Sequence, residues 1–409
     1  MVRSLDVFTT VKRASDFGVV VKDEVYLDWE RVIERKQYAT RNAEGDKAAD
    51  LKRRGIDYYK EPVVFVSPNE VTIGGEPARP KKIIIATGSK PSMPPIPGIE
   101  YAITSDDALE IKELPTSIVI IGGGFIALEF AHVFHQAGVK VTILEAKDRL
   151  LSTADGEISN AIKDSFIRQD MDVHTGAGVS GIEVQDSKRA ITATIAGEEK
   201  RFVSDVVLNA TGRVPSFDTL NLDTAGILYS KKGIKVNEFM QTNIEHIYAA
   251  GDVTGGYMLT PVASYEARVA AQNAVSGNSR KMDYRIIPYA VFSRPEIGSV
   301  GITEEEAQAK GIDYSLAYLD FATVGAAVVN GETEGFAKLV VDNSDNRIIG
   351  GHMIGHNAAE LILEVAIAMK GNLTVDDIAD TIYIHPTFSE AVAGAAVSHE
   401  KGHFEACCG

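Results

Sequence analysis

Ile118-Val119-Ile120-Ile121-Gly122-Gly123-Gly124-Phe125-Ile126-Ala127 reads as a buried parallel strand running into a glycine turn and the start of a helix. A helix-like stretch follows over residues 128–136. A second apolar run, Val139-Lys140-Val141-Thr142-Ile143-Leu144, then ends in Glu145. Strand, Gly122-x-Gly124-x-x-Ala127, helix, strand and terminal acid together form one βαβ dinucleotide fingerprint. Gly122 permits the tight turn, Gly124 lets backbone approach a pyrophosphate, and Ala127 lets the helix pack close to the strand. The helix N-terminus presents N–H groups and a partial positive charge to that pyrophosphate. Glu145 is placed to accept hydrogen bonds from an adenosine ribose and to repel a 2′-phosphate. NAD is therefore expected, with NADP disfavoured.

Around this centre, 409 residues leave room for two to four domains. An apolar content of 45% and a charged content of 24% are those of a globular protein. No apolar run reaches membrane-spanning length, and the first twenty residues lack the apolar core of a signal peptide. A net charge of −16 argues against nucleic acid as a partner. The two cysteines, Cys407 and Cys408, close the chain, so no disulfide framework is expected and the cytoplasm is the default location.

A second signal is internal. Ile83-Ile84-Ile85-Ala86-Thr87-Gly88-Ser89-Lys90-Pro91 is an apolar strand entering A-T-G-x-x-P, and Val206-Val207-Leu208-Asn209-Ala210-Thr211-Gly212-Arg213-Val214-Pro215 repeats the design. Two such turns with matching flanks suggest two related nucleotide-binding domains, although the glycine fingerprint occurs once. Elsewhere, Asp28 is placed to cap a helix running to about Arg54 and ended by Gly55. Residues 61–74 alternate like strands, residues 191–195 and 201–203 like a hairpin, and residues 246–250 form a buried strand ending in Gly251-Asp252. A long helix is expected from about Pro261 to Ala274. Beyond Pro288 the pattern turns α+β, with strands near 297–300, 337–341 and 348–354. Helices follow at 357–370, at 375–381 and after Pro386.

At this point the chain resembles the class I pyridine nucleotide–disulfide oxidoreductases, the group that includes dihydrolipoyl dehydrogenase, mercuric reductase and glutathione reductase. The resemblance covers essentially all of the sequence. It rests on residues 122–145, both A-T-G turns, Tyr248-Ala249-Ala250-Gly251-Asp252, Arg294-Pro295-Glu296-Ile297-Gly298-Ser299-Val300-Gly301 and His385-Pro386-Thr387-Phe388-Ser389-Glu390. It implies an α/β fold with two related Rossmann-like domains and a C-terminal α+β dimerisation domain. The expected division is residues 1–112 and 236–286 for FAD, 113–235 for NAD, and 287–409 for dimerisation. A homodimer acting on a small-molecule or lipoyl-protein substrate is implied, and no membrane partner.

The departures matter as much. Relatives begin with a glycine fingerprint for FAD followed by a redox-active Cys-x-x-x-x-Cys, and these 409 residues contain neither. Met1-Val2-Arg3-Ser4 resembles the segment just after that motif. A start placed downstream of the true one, a shortened chain and a decayed gene all fit. The strands around Ile84 and Ala249 are then expected to lack a neighbour, and the FAD domain to be truncated.

The resemblance also distributes roles. Thr87, Gly88, Gly212, Gly251 and Asp252 fall at cofactor positions, with the Asp252 carboxylate on the FAD ribityl hydroxyl; the bland reading of Asp252 is a loop cap. Glu129 would meet the nicotinamide region, or is simply an acid favoured near a helix N-terminus. Thr387 and Glu390 read equally as a capping box. That box does not account for His385, which the resemblance makes a general base or acid oriented by Glu390. Cys407-Cys408 looks like the terminal pair with which mercuric reductases relay Hg(II), a soft ion suited to thiolates. A dihydrolipoyl-type enzyme is the first expectation, a mercuric reductase the second. A non-catalytic nucleotide-binding remnant is the third.

Overall fold

The structure, a computed structural model, describes residues 1–401. It is a mixed α/β protein that divides into two compact units. The first takes residues 1–33, 93–211 and 285 onward; the second takes 34–92 and 212–284.

In the first unit, four parallel strands run in the order Val206–Asn209, Ser117–Ile121, Lys140–Glu145, Asp172–Thr175. Ile118, Val119, Ile120 and Ile121 are all buried. An uninterrupted apolar run is what a strand covered on both faces requires. The helix Phe125–Gln136 places Ala127, Ala131 and Phe134, spaced for one helical face, in the same core as Ile118 and Ile120. Helix Val2–Lys12 adds Leu5 to a separate cluster with Trp29, Val32, Ile33 and Val133. The expected hairpin is present and longer, as Lys188–Ile195 with Glu198–Ser204, and Ala177–Gln185 adds a third strand.

The C-terminal part of this unit is a five-stranded antiparallel sheet. Its order is Tyr289–Val291, Ile297–Gly301, Arg347–Gly355, Gly335–Asp342, Tyr314–Asp320. Helices Ala358–Gly371 and Glu390–Lys401 bury Leu361, Ile362, Val365, Val392 and Ala395 in a core with Leu339, Val341 and Met353 from the sheet. The expected helix at 375–381 is shorter, Val375–Ala379, and begins with a complete Thr374/Asp377 capping box.

In the second unit, Ile83–Ile85 pairs in parallel with Ile247–Ala249. Among the described residues this ladder has two strands, and Ile84, central in its strand, is 39% exposed. Ser89–Pro91 pairs antiparallel with Arg213–Pro215. The flanks of the two A-T-G turns are therefore hydrogen-bonded to each other. Helix Thr260–Ser276 buries Val269, Ala270 and Ala274 with Tyr248 and Ala250.

One expectation fails. Residues 29–54 are not a single helix but two, Trp29–Glu44 and Lys47–Arg53. Asp28 does cap the first, accepting from the Arg31 N–H at 3.0 Å. The break is Gly45, at φ +58°, a left-handed value that suits glycine. Asp46 then caps the second helix through the Ala49 N–H at 2.9 Å.

Candidate functional site

The fingerprint turn has the shape its glycines demand. Gly122 sits at φ +111°, and a Cβ there would lie 2.5 Å from the Ala210 carbonyl oxygen. Gly124 opens the helix in an extended conformation without a side-chain cap, and a Cβ built on it meets nothing within 4 Å. The space beside the Gly124 backbone is thus open at the helix N-terminus, as a pyrophosphate requires. Ala127 is fully buried against the sheet. Glu145 closes its strand, and its Oε1 accepts from the Lys147 N–H at 2.7 Å. The Lys147 ammonium donates to Ser152 Oγ at 2.8 Å rather than pairing with Glu145.

Gly123 is a site residue that the motif reading passed over as the variable position. A Cβ there would fall 2.8 Å from Glu145 Oε2 and 2.7 Å from Leu150 Cδ2. The third consecutive glycine was the available signal. Glu129 has a partner that neither sequence reading supplies: its Oε1 accepts from the Phe292 N–H at 3.1 Å. Burial pushes the Glu129 carboxyl up, and that N–H only partly opposes it.

The second unit gathers Thr87, Gly88, Gly212, Gly251 and Asp252. Gly88 and Gly212 have φ of +68° and +119°, and a Cβ on either would meet nothing within 4 Å. The Thr87 hydroxyl donates to the Ser216 carbonyl, and the Ser216 N–H returns a bond to the Gly88 carbonyl at 2.9 Å. The Gly251 N–H donates to the buried carboxylate of Glu266 at 2.6 Å, which fixes the turn before Asp252. Asp252 Oδ2 accepts from Ser89 Oγ at 2.7 Å. Open glycine backbone beside an anchored carboxylate fits a phosphorylated polyol such as the flavin side chain.

His385 and Glu390 meet. His385 Nδ1 lies 2.8 Å from Glu390 Oε1, while Glu390 Oε2 accepts from the Thr387 N–H at 2.9 Å. The expected capping box is therefore half formed, because the Thr387 hydroxyl turns back to the Ile384 carbonyl at 2.7 Å. Burial alone would raise the Glu390 carboxyl, but the His385 and Thr387 hydrogen bonds outweigh it and hold it below its usual value. An ionised carboxylate only accepts, so Nδ1 carries hydrogen and Nε2 is the basic nitrogen. The His385 side chain is 75% exposed, beside Ile382 and Ile384 at 98% and 78%. Cys407 and Cys408 lie outside the described residues, among which no group of three metal-ligating side chains occurs. No described helix is long and apolar enough to cross a membrane.

Comparison with known proteins agrees with this arrangement. The pyridine nucleotide-disulphide oxidoreductase family matches residues 16–267, and the dimerisation domain of the same family matches 287–396. A mercuric reductase of Staphylococcus aureus is 36% identical over 386 residues, 93% of this chain and 70% of that protein. A dihydrolipoyl dehydrogenase of Bacillus subtilis (strain 168) is 36% identical over 418 residues, 97% of this chain and 87% of the relative. Among solved structures, the Cu(II) complex of the HOCl-induced flavoprotein disulfide reductase RclA from Escherichia coli superposes with a TM-score of 0.84. Its sequence is 29% identical, and the match covers 96% of this chain and 88% of that one. The chain belongs to the pyridine nucleotide-disulphide oxidoreductases, enzymes that work with FAD and NAD(P)H.

Proposed function

We propose that this chain is a disulfide oxidoreductase of the dihydrolipoyl dehydrogenase type, moving electrons between NAD, FAD and a dithiol. The observation that carries the reading is the His385–Glu390 pair at 2.8 Å. Glu390 fixes the Nδ1–H and leaves Nε2 to take a thiol proton, which dithiol oxidation requires and metal-ion reduction does not. Gly122, Gly124, Ala127 and Glu145 hold NAD. Glu129 lies at its nicotinamide end, Thr87, Gly88, Gly251 and Asp252 hold FAD, and Gly212 is a further cofactor-binding position. The bound flavin supplies two-electron transfer; the residues named here bind, orient and manage protons. The expected division of residues into FAD, NAD and dimerisation domains is part of this proposal. So is a homodimer through residues 287–409, because the exposed apolar side chains around His385 call for a cover.

A second reading has its own support. Cys407 and Cys408 form an adjacent pair before Gly409, and a mercuric reductase is among the relatives. Their thiols would then pass Hg(II) as substrate.

A single experiment separates the two. Both cysteines of the 409-residue chain are at its C-terminus and its one glycine fingerprint is that of the NAD site, so this polypeptide alone is expected to show no dithiol turnover and to bind FAD weakly. Extending it N-terminally by a family-like βαβ unit with a Cys-x-x-x-x-Cys should give a yellow protein that oxidises NADH with lipoamide. Stoichiometric FAD and lipoamide reduction by the unextended chain would show that the added unit is not needed, whereas an extended, FAD-loaded protein that leaves lipoamide untouched would overturn the reading. Hg(II) reduction lost in the Cys407→Ala, Cys408→Ala double variant would install the alternative.

A further inference from the structure

A chain of hydrogen bonds in the second unit has a fixed direction. Arg213 Nε donates to Ser89 Oγ at 2.8 Å, and Arg213 Nη2 donates to the Ser89 carbonyl at 2.9 Å. A guanidinium has no acceptor, so the Ser89 hydroxyl oxygen must accept here. Its one proton then points to Asp252 Oδ2, 2.7 Å away. The two-point grip on Ser89 follows from the antiparallel pairing of Ser89–Pro91 with Arg213–Pro215, which sets the second A-T-G turn beside the first. Sequence alone gave Ser89 no role, because it occupies a variable position of A-T-G-x-x-P.

We propose that Ser89, oriented by Arg213, is a positioning residue that holds the Asp252 carboxylate for a polyol hydroxyl of the bound flavin cofactor. With Oδ2 committed to Ser89, Oδ1 is directed to accept from a ligand hydroxyl. A hydroxyl can donate to it, whereas a phosphate or carboxylate at the same place would be repelled. Arg213 sets the polarity of the relay and Ser89 transmits it. The inference rests on the reading of Asp252 as a flavin ligand.

The test is FAD affinity of the full 409-residue chain, read by quenching of flavin fluorescence, with thermal melts as a folding check. Ser89→Ala should weaken FAD roughly tenfold, the cost of one hydrogen bond to a charged group. Ser89→Thr, which keeps the hydroxyl, should bind like the parent. Ser89→Ala combined with Asp252→Asn should bind no more weakly than Asp252→Asn alone, because Ser89 acts only through that carboxylate. Should Ser89→Ala not fold, Ser89→Cys, nearly the same size but a weak donor, answers the same question. Parent-like affinity in Ser89→Ala or Ser89→Cys, or additive losses in the double variant, would overturn the proposal and leave the reading of Asp252 standing. An unchanged affinity in Asp252→Asn, or no FAD binding by the parent chain, would overturn that reading, and the proposal with it.

Discussion

Replacing Lys338 by methionine tests how the first unit is held together. Lys338 lies on the strand Gly335–Asp342 and is 1% exposed. Its ammonium is 3.0 Å from Asp155 Oδ1, 2.7 Å from Glu157 Oε2 and 2.9 Å from Glu304 Oε2. Asp155 is itself fully buried and caps the helix Gly156–Arg168 through the Glu157 N–H at 3.1 Å. Burial raises the Asp155 carboxyl, yet His352, Lys338 and the Glu304 N–H beside it hold it below the ordinary value. Methionine fills the same volume and leaves Asp155 buried without its counter-charge; Glu157 and Glu304, half-buried to exposed, turn to water. Removing one partner of a buried pair costs about 3–5 kcal/mol, which lowers the melting temperature by roughly 5–15 °C. Adding Asp155→Asn should recover about 1–3 kcal/mol of that loss, since it removes the stranded charge. The pH dependence has a definite sign. A depressed carboxyl stabilises the fold above its unfolded pKa, about 3.9, and that contribution is lost as pH falls through the folded value. The gap between parent and Lys338→Met should therefore narrow in acid. Denaturant melts at pH 7 and at about pH 3, below the unfolded carboxyl value, give both numbers. A Lys338→Met loss below about 1 kcal/mol, or strict additivity with Asp155→Asn, would refute the reasoning.

Other outcomes follow from the sites. Glu145 should make NADH bind more tightly than NADPH, and Glu145→Ala should narrow the difference; equal or tighter NADPH binding by the parent would contradict the assignment. In the N-terminally extended protein, His385→Gln should lower lipoamide turnover by roughly 10²–10⁴, seen as NADH absorbance decay, while leaving FAD content unchanged. A loss under about threefold would remove His385 from proton transfer. Light scattering at micromolar concentration should give a dimer, and an Ile382→Asp, Ile384→Asp pair should give monomers. A monomeric parent would leave His385 without a second subunit to serve.

What was legible in the sequence was whatever local chemistry dictates. Ile118 to Ile121 could only be a strand covered on both faces, and three glycines could only be a turn with bare backbone. Gly45-Asp46 escaped notice because the residues around the break are polar, so no apolar stripe existed whose interruption would mark it. Long-range pairing was invisible for a different reason. Lys338 stands between Ala337 and Leu339, and alternation alone would send it to solvent. It is buried because carboxylates from three distant positions converge on it. Glu129 likewise has its partner at Phe292, which no local window contains. The His385–Glu390 pair was within reach, since only four residues separate the two. The half-formed cap was not, because the Thr387 hydroxyl chooses between two nearby backbone groups of similar appeal.

Four acids in this chain share one arrangement, and it governs how their variants must be read. Glu390 gives one oxygen to the Thr387 N–H and the other to His385. Asp155 accepts from the Glu157 N–H and Lys338 on Oδ1 and from the Glu304 N–H on Oδ2, Glu266 from the Gly251 N–H and the Tyr284 hydroxyl, and Glu145 from the Lys147 N–H. In each, a carboxylate shapes its own or a neighbouring turn; in the first three it also holds a second group. Only a carboxylate offers acceptors on both oxygens. An amide in its place keeps one acceptor and turns an NH₂ toward a second donor, so one of the two bonds fails. At Glu390, an amide oxygen kept on Thr387 would release the Nδ1–H of His385, and the imidazole could adopt the other tautomer. An oxygen kept on His385 would loosen the start of helix Glu390–Lys401 instead. The first outcome costs turnover with normal stability, and the second costs stability with turnover largely retained. Function and fold at these positions are therefore separable by measurement, although one side chain carries both.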